Sequence, residues 1–125
     1  MAKENGLGPK ERLRRQRDFR RAYLSRCRNA DDVLTVYACG NNLEYSRLGV
    51  SVSRRHGPAV VRNRKKRILR EAYRLSKSDL PRGFDYILIP ALGCDAVLEQ
   101  TMESLKCLTP QAVARWHKKH GGADG

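Results

Sequence analysis

The sequence predicts a single α+β domain, a small sandwich of helix-strand-strand-helix-strand-helix order. Three observations predict it: short alternating apolar runs at 33–39 and 47–53, a strongly apolar run at 84–89 behind a long basic stretch, and helical apolar spacing towards both ends. At 125 residues the chain can bury one modest core and is too short for two.

Residues 1–11 are polar and contain Gly and Pro, so they are expected to be a mobile basic end. Residues 12–24 predict a basic helix in which Phe19, Ala22 and Tyr23 share one side at i, i+3 and i+4, which sets two aromatic rings one turn apart beside Arg20 and Arg21. In 33–39, Leu34, Val36 and Ala38 point one way and Val33, Thr35 and Tyr37 the other. Gly40-Asn41-Asn42 supplies turn residues. In 47–53, Leu48, Val50 and Val52 oppose Arg47, Gly49, Ser51 and Ser53. Paired as a hairpin, the two strands would have a core face and an open face of small or polar groups plus Tyr37, a floor for a ligand.

Gly57 suits an N-cap and Pro58 a first helical position, and the helix is expected to run to Lys77. At about 100° per residue, Val61, Ile68, Ala72 and Leu75 fall on one side. Arg62, Asn63, Lys66, Arg67, Arg70, Arg74 and Lys77 spread over the other, with Glu71 the single acid. Like charges three or four residues apart repel by a few tenths of a kcal/mol, so this face calls for a polyanion. Asp79-Leu80-Pro81-Arg82-Gly83 breaks the helix, and 84–89 forms a strand that Pro90 ends. Strand, helix, strand implies a crossover. Residues 95–108 return to helical spacing through Leu98, Met102, Leu105 and Leu108. Thr109-Pro110 reads as a new N-cap and first turn, giving a 109–125 extension with a short helix that carries Trp116 and stops at Gly121-Gly122 before a disordered end.

Lys and Arg number 26 against 13 Asp and Glu, a net charge of +13 that favours nucleic acid or an anionic membrane as partner. A membrane-surface helix would carry Trp, Phe and Leu opposite its cations, whereas Val61, Ile68 and Ala72 are sized to pack on a sheet, so nucleic acid fits better. No apolar run approaches the roughly 18 residues of a membrane span, and Met1-Ala2-Lys3-Glu4-Asn5-Gly6 leads into charge, not a signal-peptide core. A soluble cytoplasmic protein is expected. Cys27, Cys39, Cys94 and Cys107 lack the close spacing of zinc knuckles and read as reduced structural thiols. His117 and His120 have the spacing to join Cys107 around a metal, but a basic helix end explains them more simply. Neither clustered carboxylates for two metals nor a His-based acid/base pair is evident, and Asp31 and Asp32, adjacent in an extended chain, point to opposite faces. No catalytic residue is expected in the protein itself.

Arg47-Leu48-Gly49-Val50-Ser51-Val52-Ser53-Arg54-Arg55, then Gly57 and Ala59-Val60-Val61-Arg62-Asn63-Arg64-Lys65-Lys66-Arg67, closely resemble the protein component of bacterial ribonuclease P. Leu13, Asp18-Phe19 and Asp85-Tyr86-Ile87-Leu88-Ile89 fit the same family, and the resemblance covers roughly residues 12–108. It implies a left-handed strand-helix-strand crossover, an exception to the usual right-handed preference. It further implies a ribonucleoprotein whose large RNA subunit performs Mg²⁺-dependent hydrolysis of precursor tRNA and releases the 5′ leader. Mg²⁺ would then be used by the RNA, with no protein-bound cofactor. The implied partners are the catalytic RNA and precursor tRNA, with neither DNA nor membrane.

By resemblance, Arg62, Asn63, Arg64, Lys66, Arg67 and Arg70 dock on the catalytic RNA. The single-stranded leader falls to a cleft with Phe19 and Tyr23 on the helix, Tyr37 on the sheet, and Arg47 and Ser51 beside them. Elementary chemistry supports this division. Phosphate contacts position a folded RNA without reading sequence, while a base stacked on a ring gains about 1–3 kcal/mol with little sequence preference. Three features depart from the family pattern: Asp31-Asp32 before the first strand, Pro90-Ala91 where an Arg is common, and the 109–125 extension. A ribosomal-type RNA-binding protein with no catalytic assembly would explain the charge but not the joined motifs.

Overall fold

A computed structural model describes residues 8–120. Its centre is the strand β4 (Phe84–Pro90), buried along its length except at half-buried Ile89. A strand apolar on both faces belongs in the middle of a sheet, and the strand order is β1 (Arg28–Ala30), β2 (Leu34–Gly40), β4, β3 (Arg47–Val50). β1 pairs antiparallel with β2, β2 antiparallel with β4, and β3 parallel with β4. The mixed α+β class is as expected, but the expected hairpin of the first two alternating runs is not: β4 inserts between them. β2 and β3 keep half-buried residues, whereas β4 needs cover on both faces. The chain instead leaves β2 through a turn in which Asn42 adopts φ 60° and the Asn41 amide N–H donates to Gly83 O at 2.9 Å.

Strand parity is as expected. Leu34, Val36 and Ala38 join Leu48, Tyr86 and Leu88 in the main core, closed by Leu69 and Tyr73 of helix α2 (Ala59–Ser76) and Leu105 and Leu108 of helix α3 (Leu98–Lys119). On the other face Cys39 and Ile87 meet Leu13 and Ala22, the latter on helix α1 (Gln16–Ser25).

Several features differ from expectation: β3 ends at Val50 and α3 starts at Leu98, each three residues inside its expected bound. α1 starts four residues late because residues 12–15 are extended along β3, where Arg12 bridges Leu48 and the Leu13 N–H donates to Leu48 O at 2.8 Å. Within the segment expected to be mobile, Pro9–Glu11 form a 3₁₀ turn tied down by a Glu11–Lys77 ion pair of 2.8 Å, while residues 1–7 lie outside the described residues. β1 carries no alternation. It is placed by its ladder to β2 and by an Asn29–Gln111 side-chain contact. Finally, α3 runs unbroken through Pro110. Proline removes one helical hydrogen bond, but Leu105 and Leu108 before it and Ala112 and Val113 after it are buried, while Pro110 itself is exposed. Burial on both sides outweighs the break, and the expected stop at 121–122 lies outside the described residues.

The acids at 31–32 have a local reason. Asp31 Oδ1 accepts the backbone N–H groups of Val33 at 2.8 Å and Leu34 at 3.0 Å, an Asx turn that launches β2.

Candidate nucleic-acid interface

α2 packs on the main-core face of the sheet and α1 on the other, so the two predicted sites sit on opposite sides. In α2 the buried stripe is Leu69, Ala72, Tyr73 and Ser76. It is rotated from the expected one, and Leu75 is exposed. Small Ala72 and Ser76, both at 0 % exposure, let the helix approach closely where the larger Leu75 would hold it off. Pro58 occupies the N-cap position, one residue after the Gly57 expected there. Asn63, Arg64, Arg67 and Arg70 are exposed, and Arg62 and Lys66 half-buried. Arg64 reaches exposed Asp95 at 3.5 Å, and Arg74 pairs with Glu71 at 2.5 Å. Lys65 turns inward and donates to Cys94 O at 2.5 Å, so one cation of the run serves the fold. Arg62 Nε is shielded from solvent and has no hydrogen-bond partner among the described residues.

On the other face, i, i+4 spacing brings Phe19 and Tyr23 to one flank of α1, ring centroids 6.4 Å apart. Tyr23 meets Tyr37 edge-on at 5.0 Å and 87°. The three rings are half-buried, packed at one side on Cys39 and Ile87. Phe19 lies on Gly49, where a Cβ would stand 2.6 Å from the ring. Thr35 and Ile89, paired across β2 and β4, continue the floor, and Ser51 follows on the same face two residues beyond Gly49.

Arg47 is not on that flank. It lies two residues before Gly49, about 13 Å of strand from Ser51, with Phe19 over the glycine between them. Its guanidinium is committed to Asp85: Nε to Oδ1 at 2.8 Å and Nη2 to Oδ2 at 2.7 Å. Arg21 Nη2 adds a bond to Oδ2 at 2.8 Å and Asn41 Nδ2 one to Oδ1 at 2.9 Å, and Asp85 is wholly buried. Hydrogen bonding to Asp85 raises the Arg47 pKa further. The sign of this buried anchor in the sequence is an acid, Asp85, inside an otherwise apolar strand; its partners Arg47, Arg21 and Asn41 lie far away in the chain. α1 therefore has an aromatic flank over the open floor and a charged flank, Asp18 and Arg21, over the Asp85 node, with Asp18 Oδ2 3.7 Å from Arg47.

His117 and His120 are occupied by rings: His117 meets Phe84 edge-on at 5.6 Å and His120 stacks on Trp116 at 3.6 Å. Trp116 covers Gly40, and Lys119 Nζ donates to Ser25 O at 2.7 Å, which ties the end of α3 to the end of α1. No helix among the described residues is long and apolar enough to cross a membrane.

Fold and surfaces define a small basic α+β protein with a cationic helix on one sheet face and a half-buried cluster of three aromatic rings on the other. The Ribonuclease P family pattern matches residues 7–112. The ribonuclease P protein component of Alkaliphilus metalliredigens is 36% identical over 93 residues, 74% of this chain and 84% of that protein, and that of Thermotoga petrophila 40% over 91 residues, 73% and 78%. Among solved structures, the Staphylococcus aureus RNase P protein superposes with a TM-score of 0.72 at 34% identity, covering 82% of this chain and 94% of that one. The Thermotoga maritima RNase P protein gives 0.67 at 34%, covering 76% and 91%. The chain belongs to the ribonuclease P protein component family.

Proposed function

We propose that this protein is the RNA-binding, non-catalytic subunit of a cytoplasmic ribonuclease P ribonucleoprotein. It binds the catalytic RNA through Arg62, Asn63, Arg64, Lys66, Arg67 and Arg70 of α2, and the 5′ leader of precursor tRNA in the α1–sheet cleft. The complex hydrolyses precursor tRNA and leaves mature 5′ ends. The observation that carries this reading is the placement of the cations of α2 and the Phe19–Tyr23–Tyr37 wall on opposite faces of one sheet. Such an arrangement holds two RNAs at once, one by its phosphates and one by its bases. Ser51 and Thr35 offer hydroxyls on the cleft floor. Arg47, held by Asp85 and lying beside Asp18, has its charge matched by acids and is a positioning group on the far flank of α1.

The Mg²⁺ of the hydrolysis is assigned to the RNA. Among the described residues no three His, Cys, Asp or Glu side chains converge as metal ligands, and Asp18 and Asp85 already face arginines, a donor set unsuited to a divalent cation.

The test is reconstitution with the catalytic RNA from the same source. Added protein should raise precursor cleavage at low Mg²⁺, and the protein alone should cleave nothing. Tyr37→Ala should lower affinity for precursor tRNA relative to mature tRNA, by about 1–3 kcal/mol per stacked base lost. Equal losses for both substrates would show that the ring serves only the fold.

A further inference from the structure

Three depressions in the surface share one residue. Arg12 borders a groove on α2 with Arg67, Arg70 and Arg74, a second hollow with Arg14, Phe19 and Arg70, and a third with Lys10, Arg14, Arg15 and Arg17. The strand beneath is β3, an edge strand of the sheet. Arg12 and Leu13 lie along that edge, and with the 3₁₀ turn before them and Arg14–Arg15 after them they form a strap that joins the cations on the α2 side of the sheet to those at the first turn of α1.

We propose that this strap is itself an RNA-binding element: it turns the cations of α2 and the N-terminal end of α1 into one track, and the backbone of the RNA docked on α2 continues along it. The inference rests on the α2 reading above and extends it to Arg12, Arg14, Arg15 and Arg17. The charge balance supports it. The acids beside the track already face partners: Glu11 meets Lys77 at 2.8 Å, Asp18 lies 3.7 Å from Arg47, and Glu71 meets Arg74 at 2.5 Å. Arg12, Arg14, Arg15, Arg17, Arg67 and Arg70 form no ion pair with an acid among the described residues. Uncompensated arginines this close repel one another, and a polyanion removes that repulsion. The ligand class follows from the lining. The third hollow has one ring, Tyr45, and Lys10 already covers it at 4.7 Å. The second hollow borders Phe19, which belongs to the leader wall, and the first has no ring, so the cation-lined parts of the track suit the phosphates of a folded RNA, not the bases of a single strand.

The strap is also held in place. Leu13 is buried and bonded to Leu48, and the Glu11–Lys77 pair and the Lys10–Tyr45 contact fasten the turn before it. Glu11 is thus a positioning residue, which gives the proposal a counterintuitive sign. Glu11→Gln removes one negative charge from the protein, and by charge alone should tighten RNA binding. If the strap must be fixed to hold the track together, the same change should loosen it.

The experiment measures affinity of the full chain for its catalytic RNA against salt concentration. A phosphate contact that fades towards 1 M salt with a log–log slope near 0.9 is worth roughly fivefold at 0.15 M. Arg12→Gln and Arg14→Gln should each lose about that factor and lower the slope by about one, and Glu11→Gln should also weaken binding while circular dichroism shows an intact fold. Unchanged affinity and slope in Arg12→Gln, or tighter binding in Glu11→Gln, would overturn the proposal. So would a loss confined to precursor-over-mature discrimination, which would assign the strap to the substrate. Arg67→Ala runs alongside: if it too leaves catalytic-RNA affinity untouched, the underlying α2 reading has failed, whereas loss in Arg67→Ala alone rejects the strap only.

Discussion

The Phe19 ring rests on the bare Cα of Gly49: a Cβ there would stand 2.6 Å from Cζ and 2.7 Å from Cε1, with Leu13 Cδ1 at 3.2 Å on another side. One glycine thus sets how low the aromatic flank of α1 sits over the sheet. Ala22 of the same helix is fully buried, so α1 cannot lift to relieve a clash without opening the smaller core. Gly49→Ala should force the ring off the floor at a cost of about 1–3 kcal/mol, the usual range for overpacking, measured by urea unfolding. It should also reduce precursor-over-mature discrimination while leaving affinity for the catalytic RNA unchanged. Wild-type discrimination in this variant would mean that the height of the ring is immaterial to the leader.

Asp31 predicts a pH dependence. Partial burial alone would raise its pKa, but hydrogen bonds from Ser104 and from the Leu34 and Val33 backbone hold it below the ordinary value of 3.8. A depressed carboxyl stabilises the fold above its unfolded pKa, and the contribution disappears as pH falls through the folded value. Wild-type protein should therefore be more stable than Asp31→Ala at neutral pH, with the difference shrinking below about pH 4. Thermal melts across that range decide it. A constant gap would show that the Asx turn works without the charge.

Much of this was legible in the sequence for a physical reason. Strand parity at Leu34, Val36 and Ala38, and at Leu48 and Val50, reports which side is buried, and period-two patterning encodes that directly. The i, i+4 pair Phe19–Tyr23 was legible in the same way. What stayed hidden depends on partners distant in the chain. That β4 separates β2 from β3 follows from competition for the central position, which no local pattern states. The strap at 12–15 reads as helix because its arginines have good helical propensity, yet its N–H groups are taken by an edge strand 35 residues later in the case of Leu13 and Leu48. Pro110 reads as a stop because local chemistry says so, and only burial of Leu108 and Ala112 on either side overrides it.

On the proposed docking, the exposed Arg64–Asp95 pair, at 3.5 Å, would compete with RNA for the same guanidinium. Arg67 has no ion-pairing acid among the described residues and pays no such exchange. Arg67→Ala should lower affinity for the catalytic RNA by about 1–3 kcal/mol, as expected for a charge-assisted bond. Asp95→Asn should bind that RNA at least as tightly as wild type, since it frees Arg64 and removes a repelling charge. Filter binding at fixed salt separates the two, and weaker binding by Asp95→Asn would show that the pair orients Arg64 productively.

Asp85 gives the sharpest stability prediction because its carboxylate accepts four hydrogen bonds, two from Arg47 and one each from Arg21 and Asn41. Breaking a buried pair costs about 3–5 kcal/mol, but the side chains of Arg47 and Arg21 are 21% and 48% exposed, so solvent recovers part of it. Asp85→Ala should therefore cost about 2–3 kcal/mol. Asp85→Asn should be nearly as costly, because an amide NH₂ placed where an oxygen stood would face donors from Arg and Asn41 alone. A double-mutant cycle between Asp85→Ala and Arg47→Met tests whether the two act as one unit. Coupling of about 2 kcal/mol is expected, near the upper end for contacting residues. Coupling close to zero would mean that water replaces Asp85 as the partner of Arg47, and that the charged flank of α1 is held by packing of Ala22 and Leu13 instead.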